Sequence, residues 1–160
     1  MRRVKKVTYD GKRVLVRWEV PRVGADPDEY EVACKDPPAP RLVLALATLA
    51  ATVIDICELE RAYVFGLDVR GASFSYGGEA EVMGATITAL KKVSTARSPL
   101  TLNTPHLPSE PYTEDDKSDT PCLSEGAIEA LEELAEAALD YVDGKRAQLE
   151  LLDDAKPKES

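Results

Sequence analysis

The side chains that could carry out chemistry are few in this sequence and stand far apart. His106 is the only histidine, and no serine or threonine near it forms a recognisable nucleophile–base pattern. The acidic pairs Asp115–Asp116 and Asp153–Asp154 stand in polar segments, whereas a magnesium site needs carboxylates fixed on rigid elements. No glycine-rich phosphate loop is present. The sequence therefore predicts a protein that is not an enzyme, without catalytic residue, metal or cofactor. Catalysis would become the better hypothesis if one pocket gathered Asp36, Asp55, Asp68 and His106.

The cysteines and the apolar segments indicate the compartment. Cys34, Cys57 and Cys122 are odd in number and widely spaced, which argues against a disulfide framework or a zinc site and favours a reducing environment. No apolar signal-peptide core follows the basic N-terminus. The longest uncharged apolar run, Leu42 to Ile54, is shorter than the ~20 residues of a membrane span. We therefore expect a cytoplasmic protein.

Basic and aromatic residues on the predicted strands form a pattern typical of nucleic-acid binding. Residues 1–22 carry eight basic and two acidic side chains, a charge of +6, although the whole chain has a net charge of −9. Proteins that bind single-stranded DNA combine stacking rings with a basic groove. The residues predicted to form such a site are Lys5, Lys12, Arg13, Arg17, Trp18, Arg70, Tyr76, Lys91 and Lys92. The alternative is that the basic residues are solvated strand faces and that the rings fill the core.

The segment Gln148-Leu149-Glu150-Leu151-Leu152 is a candidate for binding a protein. It is similar to the peptide with which bacterial polymerases and repair proteins grip the sliding clamp, where a glutamine amide sets the register and apolar side chains fill a cleft. In this interpretation Gln148, Leu149, Leu151 and Leu152 bind the clamp, and Leu152 replaces the usual phenylalanine. The alternative is that the leucines extend the last helix and pack on the sheet.

The order of predicted elements indicates an α+β fold. We expect a mixed or antiparallel sheet of about six strands with two main helices, in the order βββα-βββα. Asp10-Gly11 predicts the turn of a first hairpin and Gly77-Gly78 that of a second. The second hairpin begins with a strand over Tyr63–Tyr76, and a change of alternation near Gly71 predicts a bulge in it.

The two predicted helices differ in their apolar surfaces. The first runs from the prolines at 38–40 to Leu59 or Glu60 and is apolar over much of its circumference. Such a helix is either buried against the sheet, which we favour, or shared with a second subunit in a homodimer. The second helix follows Ser124, a good N-cap residue, and carries a single apolar stripe.

The length of the chain predicts one domain, over residues 1–152. Within it, the polar and proline-rich stretch 104–123 is expected to be a mobile loop. Residues 153–160 are expected to form a disordered acidic tail.

Three segments resemble a family of small, uncharacterised bacteriophage proteins. They are Gly84–Lys92 (GATITALKK), Ser98–Tyr112 (SPLTLNTPHLPSEPY) and Tyr141–Leu149 (YVDGKRAQL). The resemblance implies a phage origin and action in the cytosol of the host cell. It implies no mechanism.

These observations rank three functions. The first is a non-catalytic accessory protein of phage DNA metabolism that binds single-stranded DNA, the host sliding clamp, or both. The second is a phage inhibitor that binds a host replication or defence protein, with an acidic surface that imitates DNA. The third is an enzyme with an unfamiliar site or a small-molecule binder. Oligonucleotide binding with a steep salt dependence would distinguish the first from the others.

Overall fold

The computed structural model describes residues 1–112 and 120–145, and within them it confirms the α+β class with two main helices. Its seven strands are β1 (Arg3–Tyr9), β2 (Val14–Arg22), β3 (Ala25–Cys34), β4 (Leu67–Gly77), β5 (Val82–Lys91), β6 (Leu100–Asn103) and β7 (Leu107–Pro108). The helices are α1 (Pro40–Ile56) and α2 (Glu125–Val142). Every strand pair is antiparallel, in the order β3-β2-β1-β4-β5-β6, and β7 also pairs with β5.

The first hairpin forms as its turn residues predict. Gly11 has a φ of 92°, a conformation that glycine adopts without strain. The Asp10 carboxylate accepts hydrogen bonds from the backbone N–H groups of Lys12 and Arg13, and these bonds hold its pKa below the ordinary value. The period of two along β2 then buries Val14 and Val16 on one face of the sheet.

The start of the second hairpin differs from its prediction. Residues Arg61–Gly66 form a 3-10 turn, and the strand begins only at Leu67. The predicted bulge is confirmed, because the register of β4 against β5 shifts between Val69 and Gly71. At Gly71 the neighbouring strand comes so close that a Cβ would lie 2.2 Å from the carbonyl oxygen of Val7.

Replacing Gly71 with alanine should destabilise the fold by about 2 kcal/mol, since overpacking against backbone cannot relax by a rotamer change. The matched control is Gly126→Ala in α2, where nothing lies within 4 Å of the new Cβ. That control should gain about 0.5 kcal/mol through helix propensity. Urea unfolding measures both variants. Equal free energies of unfolding for the two would show that β1 and β4 do not approach as described.

Both helices begin and end where local chemistry dictates. Pro40 stands in the first turn of α1, where its missing N–H has no partner to lose. The helix ends at Ile56, earlier than predicted, because Glu58 turns to a φ of 54° and the N–H of Leu59 bonds back to the carbonyl of Ile54. The Ser124 side chain accepts from the N–H of Ala127, which confirms the predicted N-cap of α2.

The two helices lie side by side on one face of the sheet and enclose the core with it. They run antiparallel, since Arg41 at the start of α1 contacts Glu133 in the middle of α2 and Asp140 near its end. Buried residues of both helices pack on the inner residues of β1, β2, β4 and β5. The preferred prediction, packing of the first helix on the sheet, is thus what the structure shows.

Neither of the helices in the described residues has the length and apolar character needed to cross a membrane.

The edge strand next to β5 is bent by an extra residue. β6 and β7 both pair with β5, and the Thr104 side chain between them accepts a hydrogen bond from the N–H of Ile87. Thr104 and Leu123 are buried within the stretch 104–123 predicted to be a loop, while residues 113–119 lie outside the described residues. From this edge, His106 and Tyr112 reach over Gly84 and Gly77 on the face away from the helices.

Candidate nucleic-acid interface

The face of the sheet opposite the helices, here called the open face, is lined by small and polar side chains. It follows from the register that Lys6 and Thr8 lie there, beside Ser73 and Gly71 on β4. Further residues of the open face are Leu15, Arg17, Ser75, Gly84, Thr86, Thr88 and Leu90. A sheet face with so few apolar side chains is suited to a polar ligand rather than to a second layer of protein core.

At one end of the open face, two adjoining hollows form what we call the basic groove. Their volumes are about 500 Å³ and about 650 Å³, and Arg70 and Leu90 line both. The first also contains Phe65, Lys92 and Arg97, and the second contains Lys12 and Arg13. The groove therefore gathers five cationic side chains from three separate parts of the chain.

The carboxylates of the basic groove are already engaged. Asp68 pairs with Arg70 at 2.9 Å, and Glu31 pairs with Arg17 at 2.9 Å. The Asp10 carboxylate accepts hydrogen bonds from the backbone N–H groups of Lys12 and Arg13 in its own turn. By contrast, Lys12, Arg13, Lys92 and Arg97 form no ion pair with any described residue. As far as the described part of the chain is concerned, four cations thus remain available to an anionic ligand, although the protein as a whole is acidic.

Phe65 supplies an exposed ring at the mouth of the basic groove. It is 94% exposed, which is unusual for a phenylalanine, and it lines the same hollow as Lys92 and Arg97. Its position follows from the 3-10 turn, which turns the side chain away from the core instead of continuing the strand alternation. The sequence analysis missed both Phe65 and Arg97.

The structure brings four of the nine predicted nucleic-acid residues together, namely Lys12, Arg13, Arg70 and Lys92. The remaining five lie outside the groove lining. Arg17 is on the open face but pairs with Glu31, and the Lys91 ammonium lies 4.4 Å from the centre of the Tyr63 ring.

The two predicted stacking residues pack on the core instead. Trp18 stacks on Tyr30 with ring centres 5.5 Å apart. The Tyr76 hydroxyl donates to the carbonyl of Val4, and burial raises its pKa. Lys5 lies over this ring, 5.8 Å from its centre. These rings follow the alternative of the sequence analysis, in which the aromatic residues fill the core.

His106 contacts a serine that the sequence analysis did not connect with it. The Ser75 hydroxyl lies 2.7 Å from Nε2 of His106, and a Cβ at Gly84 would lie 2.5 Å from the same nitrogen. Gly84 therefore makes room for the imidazole, and the hydrogen bond holds the bend of the edge strand against β4. Within residues 1–112 and 120–145, no carboxylate pairs with His106.

The carboxylates considered for catalysis do not gather around this histidine. Asp68 is in the basic groove, and Asp55 lies beside Arg61 at the end of α1. The backbone carbonyl of Asp36 accepts a hydrogen bond from the hydroxyl of Tyr141 on α2. In the described ranges, no group of three or more histidine, cysteine, aspartate or glutamate side chains could hold a metal ion.

Gln148, Leu149, Leu151 and Leu152 lie outside the described residues, as do Asp115–Asp116 and the tail 153–160.

Comparison with known proteins adds no relative. No family model matches the chain, and neither a curated protein nor a solved structure does. Function is therefore inferred from the residues of the basic groove.

Proposed function

We propose that this protein is a non-catalytic accessory factor of DNA metabolism that binds single-stranded DNA in the basic groove. The observation that carries the proposal is the combination, in one groove, of an exposed aromatic ring with four cations that form no ion pair within residues 1–112 and 120–145. Cations that track phosphates and a ring on which a base stacks are the two requirements for binding single strands without sequence preference. The bacteriophage origin implied by the resemblance would place this activity in an infected cell.

A single strand suits the groove better than a duplex. Bases of a duplex are stacked on each other and do not present a face to Phe65, whereas an unpaired base does. The cations are spread over both hollows on either side of Arg70, so that successive phosphates of one backbone can contact them. Leu90 on the floor offers an apolar surface to the sugars or bases between these phosphates.

Removing the ring tests the stacking half of the proposal. Phe65→Ala should weaken binding of a labelled oligothymidine of about twelve nucleotides about tenfold, since one base stacked on an aromatic ring contributes about 1–3 kcal/mol. Because the side chain is 94% exposed, its loss should leave the melting temperature unchanged. Fluorescence anisotropy measures the affinity. The control is Tyr30→Ala, another exposed ring, outside the groove lining. Equal losses in both variants would refute stacking at Phe65.

Binding of the host sliding clamp through Gln148-Leu149-Glu150-Leu151-Leu152 is a separate part of the proposal. Its support is positional, because α2 ends at Val142 and Gly144 follows with a φ of 91°, which ends the helix before this segment. The buried residues of α2 all precede that point.

Truncation after Lys145 should therefore abolish capture of a purified bacterial sliding clamp and leave the melting temperature within about 2 °C, because no buried residue of α2 is removed. Surface plasmon resonance and thermal unfolding measure the two properties. Unfolding of the truncated protein would instead assign the leucines to the core. Retained capture would assign clamp binding to another surface.

A further inference from the structure

The outer surface of the helix layer combines two strips of opposite character. On α1, no charged residue stands between Arg41 and Asp55, and the exposed side chains there are uncharged. They are Val43, Leu44, Ala47, Thr48 and Ala51. Leu44 is 68% exposed and Val43 is 44% exposed, so large apolar groups and not only alanines face solvent. We call this set the apolar strip.

The hydroxyl in the apolar strip does not make it polar. Thr48 Oγ donates to the carbonyl of Leu44 at 2.8 Å, so its hydrogen-bonding capacity is used within the helix. Leu44, Ala47, Thr48 and Ala51 recur at helical spacing, and they form one continuous line along about two turns. The small residues in its middle let another helix approach closely.

Beside the apolar strip, the outward face of α2 is a row of carboxylates, here called the acidic ridge. Its exposed members are Glu125, Glu129, Glu132, Glu133 and Glu136. Arg41 neutralises part of the ridge through contacts with Glu133, Glu136 and Asp140. Glu129 and Glu132 pair with no described cation. The ridge therefore remains strongly negative along the full length of the apolar strip.

From this pairing of strips we infer that the helix layer docks a basic amphipathic helix of a partner protein. Its apolar side would lie on the apolar strip, and its lysines or arginines would face the acidic ridge. A second copy of this chain fits less well. An antiparallel two-fold pairing of α1 would bring the two acidic ridges against each other, and each copy has a net charge of −9. The docking surface is centred on the helices and the basic groove on the open face, and they approach each other only where Val43 and Ala47 share a hollow with Asp68 and Arg70.

The test uses the full chain and two designed peptides of 18 residues made of leucine and lysine. In one, the leucines recur at helical spacing. In the other, the same composition is scrambled so that no apolar face forms. We expect the amphipathic peptide to bind at least tenfold more tightly than the scrambled peptide, by fluorescence anisotropy. Leu44→Asn should remove this preference. Glu129→Gln combined with Glu132→Gln should weaken binding of the amphipathic peptide at least fivefold.

The control variant is Val23→Asn. Val23 is a fully exposed apolar residue in the turn between β2 and β3, and its replacement should leave the affinity for both peptides unchanged. Equal binding of both peptides, or binding unaffected by Leu44→Asn, would overturn the inference, because it would show general attraction to an acidic protein. Light scattering would overturn it as well if the chain were a dimer that Leu44→Asn dissociates, since a second copy would then occupy the strip. Groove variants such as Phe65→Ala should leave peptide binding intact.

Discussion

Reversing two charges of the basic groove, Lys92→Glu with Arg97→Glu, should weaken binding of oligothymidine by at least about 100-fold at low salt. Both side chains are exposed and unpaired among the described residues, so the change acts on the ligand and not on the fold. If about four phosphates are neutralised by the native groove, the logarithm of affinity should fall with the logarithm of salt at a slope of about −3. The variant should show about half that slope. Anisotropy titrations at four salt concentrations give both quantities.

A matched pair outside the groove separates a local effect from a global one. Lys35→Glu with Arg61→Glu changes the net charge by the same amount, and neither residue lines either hollow of the groove. This control should weaken binding only slightly and keep the native salt slope. If both double variants lost affinity equally, the net charge of the protein and not the groove would govern binding.

Replacing Arg3 with methionine should reduce the free energy of unfolding by about 3–5 kcal/mol, because it leaves the charge of Glu19 without a partner in a buried site. The Arg3 guanidinium lies 2.9 Å from the carboxylates of both Glu19 and Glu81 and 5.0 Å from the centre of the Tyr76 ring. The side chains of Arg3 and Glu19 are only 11% and 7% exposed. Urea unfolding measures the loss.

Two further variants test this explanation. Arg22→Met breaks an exposed pair with Asp28 and should cost less than about 1 kcal/mol. Arg3→Met combined with Glu19→Met should recover most of the loss, since an apolar pair leaves no buried charge unpaired. A double variant as unstable as Arg3→Met alone would mean that Arg3 acts by packing on Tyr76 and not by neutralising Glu19.

Features set by neighbouring residues could be predicted from the sequence. The turn at Asp10-Gly11, the Ser124 cap and the bulge at Gly71 each depend on a few consecutive side chains. The end of α1 was predicted too late because a glutamate, Glu58, adopts the left-handed conformation where glycine is usual. The alternation through Tyr63, Phe65 and Leu67 imitated a strand although the chain forms a 3-10 turn there.

The groove itself could be predicted only in part, because it depends on which strands become neighbours. Pairing of β1 with β4 brings Lys12 and Arg13 next to Arg70, and no local sequence pattern predicts that contact. The parity of β2 was predicted correctly, and it directs Trp18 to the side of the helices, away from Arg17. Aromatic and basic residues that alternate along one strand therefore lie on opposite faces of the sheet, and the exposed ring that lines the groove is Phe65 instead.

The central claim, that single-stranded DNA binds across the open face at the basic groove, is tested most directly by mapping backbone amide shifts of the full chain as oligothymidine is added. The proposal predicts that the amides of residues 65–70 and 90–98 move first and saturate together, with those of residues 10–13 following, while α1 and α2 stay unchanged. Shifts confined to the helices, or no shift at low salt, would contradict it.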